Sequence, residues 1–249
     1  FWVRFSQTAA VFFIAFVIGW FIKAHYTDKT ESTWLEVSVP TGHMTQLKLS
    51  DSSKVWLNSE STFRYPSDFS DERRVLLSGE AYFEVAPKRE SPFIVETDCL
   101  SARVLGTRFN VRAYKEDSEI ETTLMEGKVA LNNNGTQNTR TVLYSGDQAK
   151  MNKLNNELEI RQVEHPQAKT IAWIKGRYEF HNEPLNEILN FASRWYDIKF
   201  VVKDKELQDT RFTGVMRREY PPEKLLELIK KTEEIVTKRK NDKIIIKYQ

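Results

Sequence analysis

Apolar and polar residues alternate along most of the chain between residues 35 and 160, and this pattern predicts a long series of β-strands. The clearest stretch lies between Arg73 and Val111, where apolar side chains recur two positions apart. A period of two is typical of strands that bury one face. Glycine and proline interrupt the stretch at positions that suit turns. The predicted strands cover residues 37–39, 47–49, 55–58, 75–77, 81–85, 93–95, 103–105, 109–113, 120–125, 128–131, 140–143, 148–151 and 158–160.

This succession of short strands, with almost no helical periodicity, predicts an all-β domain over residues 35–165. Two architectures fit the pattern equally well. One is a sandwich of two sheets, and the other is a short solenoid-like stack of strands.

The pattern changes near residue 172, where helical spacing of apolar residues begins. A helix is predicted to start near Asn182, a suitable N-cap, with Pro184 in its first turn. A second helix opens at Pro221-Pro222. The order β-α-β-β-α-β-β predicts a small α+β domain over residues 172–249, with both helices on one face of a single sheet. The predicted strands of this domain cover residues 178–180, 198–202, 211–215, 235–237 and 244–248.

The first 22 residues predict a single transmembrane helix. Residues 5–22 carry no charge, and as a helix they would span about 27 Å, close to the thickness of the hydrocarbon core. Trp2 and Trp20 fall near the two ends, where amphipathic aromatic side chains prefer the membrane interface. A signal peptide would have a shorter apolar run and a small-x-small cleavage site, which this segment lacks. Residues 23–34 are polar and predict a juxtamembrane tether.

Composition and charge exclude several classes of function. The chain has 37 basic and 35 acidic residues, so no overall field draws it to nucleic acid. A mild basic excess in Glu223–Gln249 is interpreted as a solvated surface. Cys99 is the single cysteine and the four histidines lie far apart, which predicts no metal site and no cofactor. No Walker loop or GxSxG motif is present, so we predict that the protein is not an enzyme.

Seven long motifs follow one another along the chain: VWLNSESTFRYP, LSGEAYFEV, SPFIVET, VLGTRFNV, TLMEGKVAL, LYSGDQAKM and AWIKGRYEFHNEPLNEILNFASRWYDIKF. In wording and order, the first six resemble the periplasmic domain of FecR-family anti-sigma regulators. Ser53 stands where the family usually has glycine, and Ser145 stands where it usually has proline. The last motif resembles the C-terminal domain of Bacteroidetes-type members, which is similar to the STN fold of secretins and TonB-dependent transporters.

The resemblance implies a single-pass inner-membrane anti-sigma regulator. It would relay the state of an outer-membrane TonB-dependent transporter to an extracytoplasmic-function sigma factor. The sigma factor would bind a cytoplasmic segment before Phe1, which this chain is expected to lack. The N-terminus would be cytoplasmic, and residues from Lys23 onward would be periplasmic.

The C-terminal domain is the expected contact for the signalling domain of the transporter. Edge strands carry unpaired backbone groups, so adding a strand at an edge is an economical way to join two similar folds. Two strands are predicted to be such edges. Their candidate residues are Arg211, Phe212, Thr213, Val215, Ile244, Ile246 and Tyr248.

Self-cleavage at Gly106-Thr107 is a further hypothesis, because some members of the family cut themselves at a Gly–Thr bond. The threonine hydroxyl would attack the preceding carbonyl carbon in an N-to-O acyl shift, and glycine leaves that carbonyl unhindered. The alternative is a glycine turn before a strand. Half-chains on a denaturing gel that are absent from Thr107→Ala would support cleavage, and a chain that stays whole after long incubation would contradict it.

Direct ligand sensing is the second functional hypothesis. Trp34, Trp56 and Trp173 would form a stacking platform for a carbohydrate or another small ligand, although core packing explains these residues as well. Glu80 and Glu84 resemble a pair of catalytic carboxylates in their spacing. We interpret them instead as the solvent face of an amphipathic strand, with Arg73, Arg74 and Arg108 available as partners.

Overall fold

The longest strand of the protein, β5 (Arg73–Glu84), runs through both sheets of the β-rich part of the chain. The structure is a computed structural model that describes residues 15–20, 33–69, 72–133, 140–163, 166 and 171–249. We call residues 34–163 the β-region and residues 171–249 the C-terminal region. The strands of the β-region are β1 (Trp34–Ser38), β2 (Thr45–Lys48), β3 (Lys54–Leu57), β4 (Thr62–Pro66), β5, β6 (Phe93–Glu96), β7 (Leu100–Val104), β8 (Arg108–Ala113), β9 (Glu119–Glu126), β10 (Val129–Asn133), β11 (Arg140–Leu143), β12 (Asp147–Asn152) and β13 (Leu158–Gln162).

Strand β5 divides these strands into two sheets. Its first half pairs with β4 and β6, and that sheet has the order β1-β4-β5-β6-β7-β10-β11. Its second half pairs with β3 and β8, and that sheet has the order β2-β3-β5-β8-β9-β12-β13. The sequence pattern predicted two strands separated by a turn at Gly79. Residue 79 lies instead within one continuous strand, at the crossing between the sheets.

Gly79 permits this crossing for two reasons. Its φ of 118° lies in a region that side chains with a Cβ rarely adopt. A Cβ at this position would also lie 2.5 Å from the Cα of Ser61. The Ser61 hydroxyl occupies that space, and it accepts a hydrogen bond from the Glu80 amide at 2.9 Å.

The apolar faces of the two sheets pack against each other and form the first hydrophobic core. Phe83 on the second half of β5 lies 6.1 Å, between ring centroids, from Phe93 of the other sheet. It stacks on Phe109 at 5.0 Å. Phe63, Phe83, Phe93 and Phe109 are all fully buried. The structure therefore favours the two-sheet sandwich over the solenoid-like stack.

A fully buried ion pair joins the start of β5 to the turn between β2 and β3. The Arg73 Nη1 lies 2.8 Å from the Asp51 Oδ2, and the exposed fractions of the two side chains are 0% and 1%. Arg73 also donates to the carbonyl groups of Ala86 and Ser91. Arg73 is therefore not a partner of Glu80 and Glu84, and that interpretation of the sequence is wrong. Its role is to hold two loops on one end of the sandwich.

The turn next to this ion pair explains the departure from the FecR motif, and it lies at Ser52 rather than at Ser53. Ser52 has a φ of 73°, the left-handed conformation that glycine adopts without strain. Ser53 is buried and bonds the Asp51 carboxylate through both its amide, at 2.9 Å, and its hydroxyl, at 2.7 Å. The turn thus tolerates a strained serine because the next residue fixes Asp51.

The C-terminal region contains a two-stranded and a three-stranded sheet rather than the single predicted sheet. Strands β14 and β16 pair antiparallel, and the second sheet has the order β15-β18-β17 with β15 parallel to β18. One short helix was not predicted. The elements are a 3-10 helix (Ala172–Lys175), β14 (Arg177–Pro184), α1 (Leu185–Tyr196), β15 (Lys199–Val202), α2 (Lys205–Asp209), β16 (Arg211–Arg217), α3 (Pro222–Lys230), β17 (Ile235–Lys240) and β18 (Lys243–Tyr248).

Asn182 is not the N-cap of the first helix, because α1 begins three residues later with Pro184 at its N-cap. Asn182 lies in an irregular part of β14 with a φ of 52°, and its amide donates to the Thr213 hydroxyl. Asparagine adopts this conformation more readily than most residues do. Asn182 therefore belongs to an irregularity in strand β14 and not to the start of helix α1.

The N-terminal segment is a separate unit of the chain, residues 1–33. Residues 15–20 are helical, and the remainder of the predicted transmembrane helix and the tether 23–32 lie outside the described residues. Within the described part of the chain, no helix is long and apolar enough to cross a membrane.

Candidate functional site

The most extensive polar arrangement lies where the C-terminal region packs on the outer face of the β5, β8 and β9 sheet. Tyr82 and Met125 of the β-region belong to the same buried cluster as the helices of the C-terminal region. Trp173 adds a contact to this cluster, since its Nε1 donates to the Asn110 Oδ1 at 3.4 Å. These β-strands are thus buried on both faces, one against the sandwich core and one against the C-terminal region.

Asp117 bridges two arginines across this junction. Its Oδ2 lies 2.9 Å from the Arg112 Nη2 on β8, and its Oδ1 lies 2.5 Å from the Arg194 Nη2 on α1. The exposed fractions of the Asp117, Arg194 and Arg112 side chains are 6%, 8% and 12%. Glu187 on α1 adds a 3.3 Å contact to Arg112. We call Arg112, Asp117 and Arg194 the junction triad.

The guanidinium of Arg194 is held on its flat face as well as at its edge. It lies 3.7 Å above the ring centroid of Tyr114, and such a cation–π contact gains strength when both groups are desolvated. The Tyr114 hydroxyl in turn donates to the Ser59 carbonyl at 2.9 Å. The position of helix α1 is therefore linked directly to strands of the β-region.

The loop after β1 closes the junction from another side. The Gly42 amide donates to the Arg194 carbonyl at 2.8 Å, and the Gly42 carbonyl accepts from the Arg218 guanidinium. Arg218 also lies 5.9 Å from the ring centroid of Trp195. Both backbone groups of Gly42 therefore join the β-region to the C-terminal region.

A polar cavity of about 500 Å³ lies beside the triad. Glu80 is buried at its wall, and it accepts hydrogen bonds from the side-chain amides of Asn58, at 2.8 Å, and Asn110, at 3.0 Å. Burial raises the pKa of Glu80, and the charge of Arg112 and the two amides offset only part of that rise. The interpretation of Glu80 as a solvent-facing residue is wrong, because the outer face of β5 is covered. Glu84 remains half-exposed and lies 3.7 Å from Lys54.

The opposite wall of the cavity carries a lysine between two acidic side chains. Lys150 lies 2.6 Å from Glu121 and 3.3 Å from Glu119. Burial alone would raise the pKa of Glu121, but Lys150 and Arg112 outweigh it and hold that pKa below its usual range. Burial, followed by the charge of Glu121, raises the pKa of Glu183 on the C-terminal side. In the described part of the chain, no group of His, Cys, Asp and Glu could hold a metal ion.

The two strands predicted as docking edges have different positions in the structure. Strand β16, which contains Arg211, Phe212, Thr213 and Val215, pairs only with β14 among the described strands. Strand β18, which contains Ile244, Ile246 and Tyr248, is the central strand of its sheet. The prediction that β18 is an edge is wrong, because β15 and β17 occupy both of its sides. Of the two candidates, only β16 has an edge that no described strand occupies.

Gly106 and Thr107 lie in a buried connection before β8. A Cβ at residue 106 would lie 2.8 Å from the Cα of Pro87, so the close approach of two backbones accounts for the glycine. The Thr107 hydroxyl donates to the Lys128 carbonyl at 3.1 Å, and the residue is 4% exposed. This geometry provides a structural reason for both residues, and self-cleavage stays a prediction.

The three tryptophans do not form one platform. Trp173 is buried, and Trp56 packs on Tyr82 with 5.3 Å between ring centroids, within the same cluster. Trp34 is exposed on β1 with Arg64 above its ring. Core packing, the alternative reading, accounts for Trp56 and Trp173.

The sequence analysis missed the junction triad. Arg112 alternates with the core residues Val111 and Ala113, so the pattern assigned it to a solvent face. A signal was present in helix α1, where Arg194 lies between Ala192 and Trp195 on the buried side. A charged residue on an apolar helix face indicates a buried partner.

Comparison with known proteins supports the same division of the chain. A model of the FecR protein family matches residues 36–130, and a model of the FecR C-terminal domain matches residues 177–246. Two crystal structures of a candidate anti-sigma factor from Parabacteroides distasonis are similar to the chain, each with a TM-score of 0.79. One is 29% identical and covers 86% of this chain and 99% of its own, and the other is 28% identical and covers 87% and 100%. Among curated proteins, no relative matches.

These relatives also define a fragment for experiments. Residues 34–249 form one compact unit, and the related crystal structures have about that extent. The fragment Trp34–Gln249 is therefore expected to fold by itself.

Proposed function

The chain belongs to the FecR family, and on that premise we propose that it is a single-pass inner-membrane anti-sigma regulator. Members of this family are signalling regulators and not enzymes. In this proposal, residues 1–22 cross the inner membrane and residues from Lys23 onward lie in the periplasm. The C-terminal region senses the signalling domain of an outer-membrane TonB-dependent transporter. The output is control of an extracytoplasmic-function sigma factor.

The junction triad is the observation that carries this proposal. A relay needs a partner-binding end that is coupled mechanically to the rest of the chain. Asp117 holds Arg112 of the β-region and Arg194 of the C-terminal region in one buried network, so helix α1 cannot shift without disturbing the β-region. A change at the C-terminal region would therefore reach the strands of the β-region through packed, charged contacts.

Strand β16 is the proposed contact for the transporter. Its unpaired edge can accept a partner strand through backbone hydrogen bonds. Val215 is 42% exposed on this strand, beside the exposed Thr213 and Arg217. An apolar side chain between polar neighbours supplies the local contact that strand addition needs for specificity.

Binding of the fragment Trp34–Gln249 to transporter signalling domains from the same genome, measured by calorimetry, tests the proposal. We expect one domain to bind selectively. Val215→Glu should weaken that binding about tenfold or more, because it places a charge in the added interface. Val142→Glu is the matched control, since Val142 is 40% exposed on β11 of the β-region, and it should leave binding unchanged. Equal effects of the two substitutions would exclude β16 as the contact, and no binding by any domain would contradict the relay.

The polar cavity supports a second candidate function, direct sensing of a small polar ligand. Its volume of about 500 Å³ lies within the range of ligand sites, and its walls come from both regions. Lys150, Glu121 and Tyr178 supply charged, polar and aromatic surface. If no transporter domain binds, a thermal shift of Trp34–Gln249 with carbohydrates becomes the test of this candidate.

A further inference from the structure

The outer face of the three-stranded sheet in the C-terminal region carries five lysines. The strand registers place Lys199, Lys243 and Lys240 in one row across the three strands. The next row contains Val201, Ile245 and Lys238. The third row pairs Lys247 with Val236. We call this set the lysine face, namely Lys199, Val201, Val236, Lys238, Lys240, Lys243, Ile245 and Lys247.

Burial confirms that these residues share a face. Ile244 and Ile246, which alternate with them on β18, are buried against the helices, as are Phe200 and Val202 in part on β15. Arg239 also points to the helix side, where it lies 2.6 Å from Glu223 of α3. All five lysines of the lysine face are exposed.

The lysines of the lysine face have no acidic partners among the described residues, and none of the five makes an ion pair there. From strand and row spacings, the face measures about 10 Å by about 14 Å. From sequence, the basic excess in Glu223–Gln249 is interpreted as an ordinary solvated surface. Such a surface would carry acidic and basic side chains mixed together. Here Lys238, Lys240, Lys243 and Lys247 of the last two strands lie on one face, and the acidic Asp242 lies in the turn at its end rather than within its rows.

We propose that the lysine face binds an anionic lipid surface. Lysines near such a surface each contribute about fivefold in affinity, so five of them add to substantial binding. The apolar side chains between the lysines are shorter than the lysines and leave their charged ends free to reach the headgroups. This contact is separate from β16, and it depends neither on the transporter nor on the segment 1–22.

Two features favour lipid over an acidic protein as the partner. Protein interfaces are enriched in arginine and aromatic side chains and depleted in lysine. The lysine face has neither arginine nor an aromatic ring, because Arg239 is turned away and paired with Glu223. Flexible lysines suit a fluid array of phosphates, whereas docking on protein carboxylates favours the rigid fork of arginine.

Co-sedimentation of Trp34–Gln249 with vesicles tests the proposal. The probe is phosphatidylglycerol mixed into phosphatidylcholine, with pure phosphatidylcholine as the neutral reference. We expect binding to the anionic vesicles alone, weakening as salt is added because screening shortens the reach of each charge. The variant Lys238→Gln/Lys240→Gln/Lys243→Gln/Lys247→Gln should lose about a hundredfold or more in affinity. These side chains are exposed, so its folding should persist and can be checked by circular dichroism.

The matched control removes the same number of charges elsewhere, in Lys48→Gln/Lys88→Gln/Lys115→Gln/Lys175→Gln. All four control lysines are exposed outside the lysine face. Retained binding by this control supports the proposal. Equal losses in the two variants would overturn it, because net charge and not the face would then govern binding. The proposal would also be overturned if the parent fragment did not bind anionic vesicles. Preferential binding to poly-glutamate would overturn it as well, because it would indicate an acidic protein partner.

Discussion

Replacing Arg73 with methionine is expected to lower the free energy of unfolding of the fragment Trp34–Gln249 by about 3–5 kcal/mol. The substitution leaves the Asp51 carboxylate, of which 1% is exposed, without its counter-charge inside the protein. It also frees the Ala86 and Ser91 carbonyl groups that Arg73 now satisfies. Breaking one side of a buried ion pair costs more than the pair contributes, because the remaining charge cannot reach water. Urea denaturation monitored by tryptophan fluorescence measures the loss.

Arg74→Met is the matched control for this experiment. Arg74 is the next residue on β5, but 42% of its side chain is exposed, and it pairs with Glu72 and Glu96 at the surface. Exposed pairs contribute little, so we expect a loss of less than about 1 kcal/mol. The double variant Arg73→Met/Asp51→Leu should recover much of the stability, because it leaves no unpaired charge. A loss at Arg73 no larger than the loss at Arg74 would show that the pair does not hold the loops.

Replacing Asp117 with asparagine is expected to destabilise the junction by about 3 kcal/mol and to separate the unfolding of the two regions. The change keeps the shape of the side chain but leaves Arg112 and Arg194 facing each other without the carboxylate between them. Glu187, at 3.3 Å from Arg112, compensates only in part. Calorimetry should then record two transitions, with the C-terminal region melting first because it has the smaller core.

Asp98→Asn is the control, since Asp98 is exposed in the turn before β7 and should change the midpoint little. If Asp117→Asn behaves like this control, the junction triad does not couple the regions. The same variant separates sensing from relay. In the proposed function it should bind the transporter domain with unchanged affinity through β16 and yet fail to pass the signal on.

The sequence predicted the strands of the β-region well wherever one face is buried and the other is exposed. The reason is physical, because the alternation of apolar and polar residues follows directly from one-sided burial. The rule fails on β5 and β8, whose second faces are covered by the C-terminal region. There Glu80 is buried and the Arg112 side chain is only 12% exposed, and the two lie opposite each other on β5 and β8 under the C-terminal region.

The edge assignment of β18 failed for a different reason. Strand order in the C-terminal region depends on the parallel pairing of β15 with β18, which brings together residues separated by two helices and two strands. No local pattern specifies such a pairing. The same limit applies to the lysine face, because its rows are complete only once β15 lies beside the β17–β18 hairpin. The basic excess was visible in the sequence, whereas its concentration on one face was not.

The long strand β5 also fixes the order in which the β-region can be built. Neither sheet has its central strand until residue 84 has left the ribosome. Strands β1 and β2 can pair with β4 and β3 before then, but β3 and β4 must wait for their second neighbour, β5. Pairings between residues far apart in the chain form slowly, and waiting strands are prone to aggregate. Synthesis from the N-terminus therefore exposes an apolar intermediate whose lifetime is set by the rate of elongation. Slowing elongation after residue 66 should lower the yield of folded protein more than slowing it after residue 113, where β5 and β8 are already available.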